Sequence, residues 1–239
     1  MFFRASFVSL FFAASLSCLT EAKETADWAA SVKLPAGEEA ISLFNGKNLD
    51  GWEGNFELFS VNDGAIRAHN PPGVVVPMST YLFTKDSFRN FRLLLEVKQS
   101  VGKDFHIMHS AVAALGKRIS TPRNKFGFHG PLLMFCQDWG IYDAGGRGRI
   151  APPGQKDPIH VAPYEKLGEW NQLEMLVNGN RIRIVSNGQL VCDYTEEPSR
   201  LRICPLGLQL HNNKVQQEFH FRGLIAVRSP ADELVTLKE

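Results

Sequence analysis

The chain has 239 residues, 44% of them hydrophobic and 21% charged, which are ordinary values for a globular protein able to bury a full core without metal or disulfide staples. Its 26 basic and 25 acidic residues leave a net charge of +1, with no long run of one sign. That balance excludes a nucleic-acid footprint and a polybasic membrane patch.

The N-terminus departs from this average. A positive start, Met1-Phe-Phe-Arg4, precedes an apolar stretch from Ala5 to Ser17, followed by small and polar residues ending Thr20-Glu-Ala22. That order predicts a secretory signal peptide over residues 1–22, cleaved near Ala22, and hence a secreted or periplasmic protein. The stretch is too short to span a bilayer, which needs about 20 apolar residues. A lipoprotein reading would place lipid on Cys18, but Ser15-Leu-Ser17 is a poor version of that signal. Cleavage would leave Cys136, Cys192 and Cys204, an odd number. They sit in apolar contexts where a buried thiol is the usual reading, and one bridge among them stays open. No Cys/His zinc spacing is present.

Residues 23–40 read as a polar N-terminal arm with one helical turn. A single domain follows over residues 41–230, and 231–239 form a C-terminal tail. Phe91–Lys98 is a strong strand. Residues 172–178, 181–185 and 189–194 form a meander, because Asn178-Gly-Asn180 and Asn187-Gly188 tolerate the positive φ of tight hairpins. A last strand covers 218–227, with Phe219, Phe221, Ile225 and Val227 on one face by period two. Residues 115–130 and 143–163 read as irregular. No helical periodicity persists, so the expected fold class is all-β: a two-sheet antiparallel sandwich or jelly roll.

Four segments together resemble one family. Ser42-Leu-Phe-Asn-Gly-Lys-Asn-Leu-Asp-Gly-Trp52 resembles the opening of the 3-keto-disaccharide hydrolase domain family. Gly168-Glu-Trp-Asn171, the Asn187-Gly188 hairpin and the closing Pro205-Leu-Gly-Leu-Gln-Leu-His211 with Phe219-His-Phe-Arg222 match its later motifs. The resemblance implies a concanavalin A-like jelly roll, similar to legume lectins and glucanases. It also implies action on a 3-keto glycoside made by a partner sugar 3-dehydrogenase. The keto group acidifies the C2 proton, so a base can remove it and the aglycone leaves by elimination; water can then add back. Such chemistry needs a base, an acid near the leaving oxygen, and a group to polarise the ketone. A divalent cation could do the last.

Gln209 and His211 are two apart and point away from the Leu208/Leu210 side. His220 and Arg222 share the face opposite Phe219 and Phe221. If both strands lie in one sheet, these four side chains converge. A neutral imidazole is a credible base, and a guanidinium could hold an oxyanion. His211, Asp138, Asp143 and Arg222 are therefore the catalytic candidates. Gln209, His109, Gln137, Tyr142, Trp52, Arg149 and His220 are the substrate-binding candidates. Trp52 and Trp170 could stack on a sugar, but a core plug is the favoured reading for both. The resemblance weakens at Gly130-Pro-Leu-Leu-Met-Phe-Cys136, where apolar residues stand in place of the family's acidic and amide residues. Asp138 or Asp143 would then take over, or only a binding surface remains. His109 stands where the family has an amide. His106 and His109 are three apart, so they are not a simple metal pair. Arg147 and Arg149 lie on a loop that is either a lid or a solvated surface. The enzyme reading competes with a non-catalytic lectin-like module and with an envelope interaction domain.

Overall fold

The computed structural model describes residues 28–136, 140–151 and 164–238. The signal-peptide reading, Gln137, Asp138 and most of the 143–163 loop lie outside the described residues. In chain order the strands are β1 (Ile41–Ser42), β2 (Trp52–Glu53), β3 (Phe59–Asn62), β4 (Ala65–His69), β5 (Thr80–Phe88), β6 (Phe91–Gln99), β7 (Ser110–Ala113), β8 (Lys117–Thr121), β9 (Asn124–His129), β10 (Pro131–Phe135), β11 (Gly140–Asp143), β12 (Gly148–Ala151), β13 (Asn171–Asn178), β14 (Arg181–Ser186), β15 (Gln189–Thr195), β16 (Cys204–Leu210) and β17 (Glu218–Arg228).

Two antiparallel sheets form the expected sandwich. The back sheet runs β15-β14-β13-β6-β17-β4-β3, with β1 added against β17, and the front sheet runs β12-β11-β10-β7-β16-β5-β2. Alternation places Leu93, Leu95 and Val97 of β6 and Leu173, Met175 and Val177 of β13 between the sheets, against Leu206, Leu208 and Leu210 of β16. The meander β13–β14–β15 forms as expected, with Asn187 and Gly188 both at positive φ in the second turn.

Two sequence readings are corrected. Residues 115–130 are not irregular: β8 and β9 form a separate hairpin. It folds over the outer face of the front sheet, where Phe128 packs with Tyr81, Phe83, Leu132 and Met134 in a second apolar cluster. That cover explains why β10 is buried throughout its length. Gly116 and Gly130 let the base of the hairpin close: a Cβ on Gly116 would lie 2.3 Å from the His129 carbonyl oxygen. Arg118 pins the hairpin down, with its guanidinium 4.6 Å from the Phe83 ring centre and 2.7 Å from Glu53.

The second correction concerns β17. A register shift falls between Arg222 and Ile225, where Gly223 adopts φ +60°. Leu224 and Ala226, not Ile225 and Val227, therefore continue the core face begun by Phe219 and Phe221.

The arm and the tail both cross the outer face of the back sheet. Arg92 of β6 is fully buried there; it pairs with Glu174 of β13 and, at 3.0 Å, with Glu38 of the arm. Glu174 accepts hydrogen bonds from the backbone amides of Val235 and Thr236 in the tail. The arm carries its one helical turn at Trp28–Ser31. Cys136, Cys192 and Cys204 are buried and unbridged.

Candidate functional site

β7 and β16 pair with Val112 opposite Leu208 and Ala113 opposite Gly207. Continued to one residue past the end of each strand, this register sets His109 against His211. The two rings meet edge to face with centroids 4.4 Å apart. They line a hollow of about 430 Å³ on the outer face of the front sheet, beside the β8–β9 hairpin. That size is typical of a small-molecule site. Gln209 sits on the same face, 2% exposed, and its amide donates to the Tyr81 hydroxyl at 3.2 Å. Tyr142 of β11 contributes to the rim, and Asn124 of β9 reaches across to donate to the Ser79 carbonyl at 2.9 Å.

Burial sets the charge state of this hollow. Desolvation, then the neighbouring His211 and Arg149, push His109 down to about 3. Desolvation also lowers His211, opposed by a contact to the Asn212 backbone. Both imidazoles are therefore uncharged at neutral pH. Burial raises Tyr81, so its phenol stays protonated and able to donate. Two buried atoms here, His211 Nδ1 and Gln209 Oε1, have no hydrogen-bond partner in the protein. Both atoms are closed off from solvent, so each is an unpaired polar atom within the wall of the hollow.

Of the residues singled out in the sequence, His109, Gln209, His211 and Tyr142 come together in this hollow, and Arg149 lies beside it as the strand partner of Tyr142. Four others do not. Arg222 and His220 belong to β17, in the back sheet, and turn away from the front sheet. Arg222 binds Glu96 at 2.9 Å with its guanidinium 3.8 Å over Trp170, while His220 contacts Glu218 at 2.7 Å. Parity fixes the faces of Gln209, His211, His220 and Arg222 correctly, but β16 and β17 belong to different sheets, so no convergence occurs. Trp52 is a core plug, 3% exposed, with its indole nitrogen donating to the Leu43 carbonyl at 2.8 Å. Asp143 is occupied structurally: it accepts from the Gly145 amide at 2.6 Å and pairs with Arg147, which also binds Glu196. The Arg147 half of the loop is thus an ion-paired turn, not a lid.

Tyr81 and the hairpin were not foreseen. Tyr81 was legible in principle, because Thr80-Tyr-Leu-Phe83 alternates and puts a phenol on the face opposite Leu82. None of the described residues lining the hollow is acidic; Leu132 and Met134 occupy the β10 positions. Among the described residues no three His, Cys, Asp or Glu side chains gather as ligands, so no ready-made set for a divalent cation is present there.

A hollow with two buried imidazoles, a phenol and an amide, on the outer face of a jelly-roll sandwich, is the candidate site, and the family to which the chain belongs makes it a carbohydrate-active β-sandwich. The chain belongs to the family of 3-keto-alpha-glucoside-1,2-lyase-like domains, whose profile matches residues 39–224. Among solved structures it is similar to a putative glycosyl hydrolase of Parabacteroides distasonis ATCC 8503, at 20% identity and TM-score 0.53, covering 80% of this chain and 99% of the other. A second putative glycosyl hydrolase of that organism gives 17% identity and TM-score 0.52, over 79% and 93% of the two chains. The exoplasmic/lumenal domain of VIP36, in its Ca2+/Man3GlcNAc-bound form, matches at 10% identity and TM-score 0.50, over 79% and 89%. At these identities the structures share the fold alone. No curated protein matches the sequence.

Proposed function

We propose that the protein is an exported enzyme that cleaves the glycosidic bond of 3-keto glycosides by elimination across C1 and C2. The observation that carries this reading is the His109–His211 pair, held uncharged by burial beside a protonated phenol. A neutral imidazole is the base this reaction requires, because the C2 proton next to a ketone is weakly acidic. His211 takes that proton. The C–H electron pair forms the C1–C2 double bond, and the C1–O bond breaks with its electrons going to the aglycone oxygen. Tyr81, held by Gln209, donates the proton that this oxygen needs. His109 packs against the edge of His211 and fixes its ring, and Arg149 beside them supplies positive charge for the developing enolate. The sequence pattern of residues 1–22 supports export, to a compartment where a sugar 3-dehydrogenase supplies the ketone.

The expected outcome of His211→Asn is loss of at least about a hundredfold in aglycone release from a 3-keto glucoside, with an unchanged thermal melt. Retained turnover would sink the assignment. A second reading, a lectin-like binding module, draws on Leu132 and Met134 in the floor of the hollow and on the absence of a carboxylate among its described lining residues. Calorimetry run beside a product assay separates the two: binding to the wild-type protein without turnover supports the module.

A further inference from the structure

A second hollow, of about 540 Å³, adjoins the first at Met78 and Asn124, which line both. It lies on the other side of the β8–β9 hairpin tip and differs in chemistry. Val74, Val75, Pro77 and Met78 form an apolar wall beside Val76, whose side chain is buried in the core, and Phe126 and Leu58 also line the hollow. Glu57, Arg123 and Lys125 are its charged lining groups, with no imidazole or phenol among the described residues there. Val75 is 52% exposed and Val74 42%. Apolar side chains left open in a row on an anchored loop mark a binding surface more often than scattered exposure does. The loop is anchored. Val76 exchanges backbone hydrogen bonds with Asn213 at 2.9 and 2.8 Å, and the Asn70 amide donates to the Val74 carbonyl at 2.8 Å.

We infer that this second hollow receives the aglycone, and that the substrates are 3-keto glycosides with an apolar, ring-bearing aglycone. The inference rests on the proposed function, because it takes the histidine hollow as the site of the sugar. The groups that act as base and acid stand in the first hollow alone, so the oxidised ring belongs there. Whatever is bonded to C1 and extends past Asn124 meets the valine wall. Cleavage would then separate the two parts across the sill formed by Met78 and Asn124. The charged residues around the wall suit polar substituents on the edge of the aglycone ring.

The test compares 3-keto methyl glucoside with 3-keto 2-phenylethyl glucoside, whose alcohol leaving groups have similar acidity and which differ in the apolar ring. Both kcat/KM, from product release, and affinity, from calorimetry, are measured on the full-length protein. The phenylethyl compound is expected to be favoured by about tenfold or more, the usual effect of burying an aromatic ring. In Val75→Asn, a change at a half-exposed position, that ratio should fall toward one. Equal values for the two glycosides in the wild type, or an unchanged ratio in the variant, would overturn the aglycone assignment and leave the sugar site standing. Failure to bind or turn over either glycoside would overturn both.

Discussion

Tyr81 and Gln209 show how one pair of side chains binds stability to chemistry. Gln209 donates to the phenol oxygen, which leaves the phenol's own proton for another acceptor. Tyr81→Phe removes that donor and leaves a buried amide without its acceptor. The expected result is a fall in kcat of about a hundredfold, the usual scale for a lost general acid. A stability loss of about 1–3 kcal/mol should accompany it, from the orphaned amide. Urea melts and single-turnover kinetics would check the two parts separately; unchanged kcat with lowered stability would leave Tyr81 a structural residue. Residue-level chemistry was partly legible in the sequence. Gln209 and His211 were visible because alternation within one strand fixes a face. The shared face of Arg222 and His220 was visible too, but alternation says nothing about which sheet a strand joins, and β17 joins the other one. Asp143 looks like a free acid in the sequence because its partner Arg147 is set by a turn, and Arg147 is held in turn by Glu196 from a distant strand end.

At the scale of elements, the β17 bulge decides which side chains reach the core. Gly223 sits at φ +60°, and a Cβ there would come 3.1 Å from the Cβ of Ala29 in the helical turn of the arm. Gly223→Ala meets both penalties, a left-handed backbone and a tight neighbour, and should cost about 1–2 kcal/mol. Gly179→Ala is the control: it shares a positive φ, but nothing lies within 4 Å of its added Cβ. A larger loss at 223 than at 179, in matched denaturant melts, isolates the contact with the arm; equal losses would show that the backbone conformation alone matters. Strands with uniform alternation, such as β13 and β14, were legible from sequence. The bulge was not, since Gly223 interrupts the period by a single residue and leaves apolar side chains on both sides. The β8–β9 hairpin escaped notice for a related reason. Its β8 strand is mostly polar, and its apolar residues, Phe126 and Phe128, face the outside of a sheet whose cover the sequence does not announce.

Across the whole molecule, titration should report how completely the histidines are buried. His69, His109, His211 and His220 are all lowered from the ordinary imidazole value, in each case mainly by burial. Unfolding returns each to about 6.5, so below that pH the unfolded chain binds more protons than the folded one. Stability is therefore full above pH 6.5 and declines as pH falls through 6 to 5, by up to about 1.4 kcal/mol per pH unit for each histidine. Carboxylates do not mimic this in the same window. Glu196, Glu218 and Asp193 are lowered by their partners, and the stability they supply is lost only below the ordinary carboxylate values. Glu96 works in the opposite direction: burial raises it, so its protonation offsets part of the histidine slope near pH 5. Chemical denaturation at pH 7, 6 and 5 should show the decline, and His109→Gln should flatten it while raising stability at pH 5 relative to wild type at the same pH. The activity profile should not follow the same curve. Burial lowers His211 in the folded protein, so kcat/KM should begin to fall at a lower pH than the denaturation midpoint does. Loss of both together would show that His211 titrates as an exposed imidazole, and that the hollow is wetter than its burial indicates.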